Sequence, residues 1–376
     1  MKRALVFAVM AAWACGPIDQ SGGSGAGGAP DGGAAADGGV GVDGGAGGGG
    51  GGSPDGGGGS AALDCTGVVP GDLGNAVTVT TPHGGGDLCY NATADLSGNV
   101  AAEAHPGSQG DAWTGTWQIW TATGSPRGTF AGVGGDVYGQ QEGFQSTQGS
   151  ALVAWSATGQ AARRSPLDDK CAYEAFFSAT GGTLVLERCG TKLKAYRFDA
   201  QGAPGVSAEI GDASAAAGII DFQDRALIAV SQGGAYAARW YDASLKPAAA
   251  PFTLPGSGGS KPVVRPLLGG GAAIQIDGAW VAVTQSGAGS AQPAPQWLAS
   301  HANFDLQFIR QARAYALIPR SGAPARDTLD LYSGAGERCG AVKFPVDGLS
   351  MGPDGTVIGS SGDAGCTHAF WSGLLR

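Results

Sequence analysis

Trp120-Thr121-Ala122-Thr123-Gly124 and Trp155-Ser156-Ala157-Thr158-Gly159 are near copies, and Phe198-Asp199-Ala200-Gln201-Gly202 has the same form: an aromatic residue, three turn-prone residues, then glycine. The pattern continues in Trp240-Tyr241-Asp242-Ala243-Ser244, with Ser in place of Gly, and in Val283-Thr284-Gln285-Ser286-Gly287, which lacks the aromatic. It returns to type in Tyr332-Ser333-Gly334-Ala335-Gly336, and Trp371 opens a truncated last copy. Successive anchors lie 35, 43, 42, 43, 49 and 39 residues apart, a mean near 42. A recurrence of that length marks one supersecondary unit stacked against copies of itself. Between the anchors run short apolar stretches, such as 183–188, 226–231, 280–284 and 356–359, rich in Val, Ile, Leu and aromatics. They read as strands. No long stretch carries an i, i+3, i+4, i+7 apolar face, so the chain reads as all-β.

Each unit fits a four-stranded antiparallel meander. The third strand ends at the aromatic, the chain turns at the glycine, and a short fourth strand follows. In residues 249–254 and 293–298 that fourth strand contains Pro, which an outer edge tolerates because one side of its ladder is unpaired. Asp95-Leu96-Ser97-Gly98-Asn99 and Pro353-Asp354-Gly355 are hairpin turns upstream of the anchors,. A single such sheet cannot bury both of its faces, whereas sheets fanned around an axis cover one another and leave no long bare edge. Seven units fill residues 77–376, and the last stops near its third strand, 367–373. Val77-Thr78-Val79-Thr80-Thr81 alternates as a strand without a hairpin partner of its own. It is expected to supply the outer strand of the final sheet. This closure resembles that of seven-bladed β-propellers over some 300 residues. Six or eight blades, or two or three tandem β-sandwich domains, are the competing architectures.

The propeller resemblance implies an axial channel lined by innermost strands, placed at 89–94, 175–179, 218–222, 263–267, 305–309 and 347–351. Asp221, Arg265, Asp305 and Asp347 fall on or beside them and are the candidate residues of the channel mouth, although closing the channel with hydrogen bonds is the simpler role for each. The repeat Trp residues are expected to form inter-blade core. Asp199 and Asp242 sit beside the anchors, where Asp initiates turns. No phosphate loop, H-E-x-x-H or WD signature occurs, G-x-G-x-x-G arises only inside the Gly-rich segment, and no catalytic, cofactor-binding or metal-binding residue is assigned.

The N-terminus reads as an address. Lys2 and Arg3 precede eleven apolar residues, Ala4 to Ala14, too few to cross hydrocarbon as a helix but suited to a secretory signal. Cys15 follows the small Ala14. This resembles the lipobox of bacterial lipoproteins, with Ala12 where Leu is usual and Trp13 where a small residue is usual. The resemblance implies removal of residues 1–14 and multiple acylation of Cys15, hence stable membrane attachment. Gly16 after the Cys, rather than Asp, implies the outer membrane. Residues 16–60 hold 23 Gly in 45 positions, with no aromatic, Lys or Arg. Such a segment cannot offset its ordering entropy and is expected to be a disordered tether with a reach on the order of 35–40 Å. Gly38-Gly39-Val40-Gly41-Val42-Asp43 resembles half of a calcium-binding nonapeptide, but occurs once and reads as linker. Gly/Ala/Asp tracts behind a lipobox resemble those of myxobacterial outer-membrane lipoproteins. Residues 61–376 then form the propeller-like domain.

The chain carries a formal net charge of −9 and no basic block, which argues against binding nucleic-acid backbone. Seven cysteines occur. With Cys15 given to lipid, Cys65, Cys89, Cys171, Cys189, Cys339 and Cys366 are even in number, and an exported protein is expected to oxidise them. Nearest-neighbour pairing, Cys65–Cys89, Cys171–Cys189 and Cys339–Cys366, is the economical arrangement. A metal site is the alternative, with Cys366-Thr367-His368 the only close Cys/His pair,. The functional expectation is a lipid-anchored envelope module that binds or scaffolds a protein or glycan. An envelope glycoside hydrolase or polysaccharide lyase on the same fold is the alternative, distinguished by two or three carboxylates, or a His with an acidic partner, at the channel mouth.

Overall fold

A computed structural model describes residues 65, 68–69 and 72–375, except 82–90, 105–113, 134–136, 149, 179–180, 257–260, 285–290, 311–312, 321–322, 347 and 362–365. Residues 1–60, with the expected signal, Cys15 and tether, lie outside the described residues, as do Cys89 and Asp347. Seven four-stranded antiparallel sheets make up the rest, and each is a simple meander. Sheets one to six span residues 92–133, 137–166, 172–212, 215–254, 263–293 and 304–343. The seventh joins strands Leu349–Met351, Val357–Ser361 and Cys366–Trp371 to a fourth from the far end of the chain, Val77–Thr81. That strand pairs antiparallel with Cys366–Trp371, from Val77 opposite Phe370 to Thr81 opposite Cys366. First strands adjoin between sheets three and four, four and five, and five and six, and the first strand of sheet one meets those of both sheet two and sheet seven. The molecule is a seven-bladed β-propeller closed between its two chain ends.

Burial follows each strand's place in its blade. Second strands lie between neighbouring sheets on both faces. They are therefore apolar without alternation, as in Ala272–Ile276 and Ala314–Pro319, where every residue is buried,. Fourth strands face solvent, and Ala161–Pro166 and Pro204–Asp212 are mostly exposed. The repeat aromatics fill the seams between blades, as expected. Trp120 packs with Val79, Ile358 and Phe370 of blade seven. Trp155 packs with Trp117 and Phe130 of blade one, and its ring lies 5.1 Å from that of Phe130. Phe198 packs on Leu152 of blade two.

The repeat register needs one correction. In blade four the anchor is Tyr241, not Trp240. Tyr241 packs back against blade three, whereas Trp240 faces blade five. Leu245 occupies the glycine position with φ of 58°, and its N–H bonds to the Asp242 carbonyl at 2.9 Å. The turn geometry is conserved in space where the glycine is missing from the sequence. A second correction concerns 293–298. The edge strand there is Ala291–Pro293, and Gln296–Ala299 forms one helical turn. Pro295 has no N–H to give a ladder and leads into the turn instead,. The turn buries Leu298 and places the Trp297 ring 5.4 Å from that of Tyr315.

The cysteine pairing is partly overturned. Cys171–Cys189 forms as expected, closing the hairpin of blade three. Cys65 is bonded to Cys339 rather than to Cys89, with Cα atoms 5.2 Å apart, so the Cys339–Cys366 bridge does not form. Cys366 is itself disulfide-bonded. Sequence proximity misleads because ring closure brings the lead-in to Val77–Thr81 beside the last strand of blade six.

Candidate functional site

The first strands of all seven blades line one cavity of about 420 Å³. Contributors run from Ala92 and Thr93 of blade one to Leu349, Ser350 and Met351 of blade seven. The cavity therefore lies on the ring axis. Two of the four candidate channel residues meet in it. The Arg265 guanidinium donates from Nε to Asp305 Oδ1 and from Nη2 to Asp305 Oδ2, both at 3.1 Å. It also donates to the carbonyls of Leu306 and Val264, at 3.1 Å each. The planar fork thus spans the seam between blades five and six. Arg320, at the end of the strand Ala314–Pro319, adds a second guanidinium 2.9 Å from Asp305. Gln307 donates to Asp305 at 3.0 Å, and Gln275 accepts from Arg320 at 3.2 Å.

Burial pushes the Asp305 carboxyl up, but Arg265 and Arg320 beside it outweigh that and hold it below its ordinary value,. Burial likewise works against the charge on Arg265, and Asp305 overcomes it. Both groups stay ionised. Apolar faces complete the wall. Tyr138 of blade two stacks on Phe177 of blade three with ring centres 3.8 Å apart, and Phe308 meets Phe222 edge-on at 4.6 Å. Arg310, just past the end of the blade-six strand Phe304–Ile309, also lines the cavity.

The other candidates lie elsewhere. Asp221 is buried in a hairpin turn away from the cavity, and this corrects its expected place at the channel mouth. Its Oδ1 accepts from the N–H groups of Gln223 and Arg225, both at 2.9 Å, and Oδ2 pairs with the Arg225 guanidinium at 2.8 Å. Asp347 lies outside the described residues. Asp199 and Asp242 serve turns, each accepting from residues two and four ahead at 2.7–2.9 Å.

Arg310, Arg320, Tyr138 and Phe177 were not legible as site residues. Arg320 follows from register alone, because its strand runs back alongside Phe304–Ile309 and ends opposite Phe304. Tyr138 belongs to a three-residue strand, Val137–Gly139, too short to show a pattern.

Several reactive arrangements are absent from the cavity among the described residues. Gly348-Leu349-Ser350-Met351-Gly352 has the G-x-S-x-G spacing of a serine-hydrolase elbow. Ser350 nevertheless lies mid-strand rather than on a sharp strand-to-helix turn, with Oγ toward the Ile358 carbonyl at 3.5 Å,. His301 and Asp330 approach to 3.5 Å, but neither lines the cavity. His368 is buried against Ser360, whose Oγ lies 2.8 Å from Nδ1. Asp168, Cys171 and Cys189 cluster closely, yet both sulfurs are consumed by the disulfide, and a bonded sulfur is no thiolate ligand. Cys366, likewise bonded, cannot pair with His368 around a metal.

No protein-family model matches the sequence, and no curated protein does. Among solved structures, the chain is similar to the Dos1 propeller, at 7% identity and a TM-score of 0.43, over 82% of this chain and 96% of that one. It is similar to the Pan2 WD40 domain of Neurospora crassa, also at 7% and 0.43, over 82% and 98%. It is similar to BBS1N, solved in complex with ARL6DN, at 12% and 0.44, over 81% and 95%. The blade count itself rests on the hydrogen-bonded ladders.

Proposed function

We propose that this propeller is a binding or scaffold module of a bacterial cell envelope, tethered through a lipidated Cys15 to the outer membrane and receiving a protein or glycan partner at its axial opening. The export signal and the Gly-rich segment support the tether. The Asp305 cluster carries the binding reading. A glycosidase acid must hold its proton near neutral pH, which requires a raised pKa. Asp305 is driven the opposite way by two guanidiniums, and it is the one carboxylate among the described residues lining the cavity. Its role is to fix Arg265 and Arg320 in place across a blade seam.

The full-length protein tests this directly. Purified from envelopes, it should partition into detergent and co-sediment with peptidoglycan or envelope polysaccharide without cleaving either. Cys15→Ser should move it to the aqueous phase, and Arg320→Gln should weaken co-sedimentation at least severalfold. New reducing ends or unsaturated sugar products would overturn the binding reading. Unchanged partitioning of the Ser variant would overturn the anchor.

A further inference from the structure

We propose that the axial cavity binds a free small organic anion, with the anionic head at Arg310 and a flat apolar body against Phe308, Phe177 and Tyr138. The inference rests on the reading of this cavity as a binding site and adds the chemistry of the ligand. Three arginines line the cavity, Arg265, Arg310 and Arg320, against the single described acidic residue, Asp305. Among the described residues two positive charges are therefore in excess, in a protein whose own net charge is −9. A local field opposite to the global one is a site property, since nothing in the overall composition would produce it.

The three arginines are not equivalent. Arg265 and Arg320 are spent on Asp305. Arg310 has its backbone N–H bonded to the Pro353 carbonyl at 3.1 Å, which pins the residue between blades six and seven. Its guanidinium has no hydrogen-bond or ion-pair partner among the described residues. A half-buried guanidinium without an acceptor is open to an anion, and carboxylate and phosphate oxygens match its fork.

The size and lining agree. About 420 Å³ falls within the range of small-molecule sites,. Apolar and aromatic walls with a few converging polar groups are their usual chemistry. Phe308 lies at the end of one inner strand and Arg310 just past it, two residues on, so a ligand contacting both needs its charge next to a ring or a comparable flat body.

Calorimetric titration of the full-length protein with phenylacetate, phenyl phosphate and neutral phenylacetamide tests the inference. At least one anion should bind, more weakly as salt rises, and the amide should not. Tighter binding of phenyl phosphate assigns a phosphate ester, and the reverse assigns a carboxylic acid. Arg310→Gln should weaken anion binding about tenfold or more with an unchanged melting curve, and Phe308→Leu should weaken it severalfold. Amide binding as tight as that of the anions, wild-type affinity in Arg310→Gln, or no anion binding would each overturn the proposal. If no anion binds while Arg320-dependent polymer retention persists, this inference alone fails. If retention is lost, the partner-binding reading fails whatever the anions do.

Discussion

A side-chain oxygen shapes seven of the described hairpin turns of this ring in the same way. Thr121, Ser156, Asp199, Asp242 and Ser333 each follow the last aromatic position of a third strand and accept the N–H four residues ahead, at 2.7–3.2 Å. Asp95 and Asp221 do the same between first and second strands, at 2.8 and 2.9 Å. Only Ser, Thr, Asp and Asn place an acceptor at that distance from their own backbone, which is why the repeat shows those residues beside an otherwise variable turn. His368 illustrates the opposite case, a titratable group bound to its site by burial. It lies fully buried opposite Val79, and desolvation pushes its pKa down to about 4 from an ordinary 6.5. The unfolded chain thus takes up a proton between pH 6.5 and 4 that the folded protein refuses. The associated stability is complete above 6.5 and is lost as pH falls toward 4, by about 3 kcal/mol. Burial raises Asp95 and Asp354 above their ordinary values, and they act in the reverse direction, so the wild type alone does not isolate the histidine. The stability difference between wild type and His368→Asn should shift against the wild type by about 3 kcal/mol from pH 7 to pH 4, measured by urea unfolding with disulfides intact. A pH-independent difference would assign acid sensitivity to other groups.

Which elements were legible depended on what their neighbours demanded of them. Second and third strands lie between blades, must be apolar, and end in a ring and a turn oxygen, so 183–188 and 226–231 announced themselves and became Thr183–Cys189 and Ala226–Gln232. The closing strand was legible for a different reason. Val77–Thr81 alternates as an edge strand does, burying Val79 and Thr81, and the last repeat lacked one strand. The single helical turn at Gln296–Ala299 was not, because Trp297 and Leu298 are apolar in either conformation and the choice is made by Tyr315 packing from blade six. The Arg320 contact to Asp305 escaped for the same reason, since it depends on register between strands. Cys65–Cys339 is the clearest miss. It spans 274 residues, whereas Cys171–Cys189 spans 18. In the chain-entropy account the long loop is worth about 6 kcal/mol and the short one about 3. The Cys65→Ser/Cys339→Ser double variant should therefore melt lower than Cys171→Ser/Cys189→Ser, as calorimetry at equal concentration would show. Equal or reversed melting temperatures would mean that the long bridge holds ends already held by the ladder.

A closed ring has no exposed blade face only while its clasp is shut. Here the clasp consists of five residue pairs between Val77–Thr81 and Cys366–Trp371, reinforced where Val79 packs with Trp120, Ile358 and Phe370 across the seam to blade one. The same seam bears the ends of the axial wall, Thr93 on one side and Ser350 on the other, so closure and cavity shape are one property. The seam between blades six and seven also takes in Val68 from the lead-in to the clasp, but the seam to blade one is the one whose outer ladder is a strand from the opposite chain end. A chain shortened to begin at Pro82 would leave Cys366–Trp371 with a row of unpaired N–H and C=O groups, a template for pairing with another chain. It would also uncover the apolar surface beneath Val79. Because the shortened chain loses Cys65 as well, the proper reference is full-length Cys65→Ser/Cys339→Ser. Against that reference it should melt several degrees lower and form dimers or larger species through the bare edge, read by light scattering and thermal unfolding. A monomer with the melting temperature of the reference would show that inter-blade packing closes the ring without its clasp.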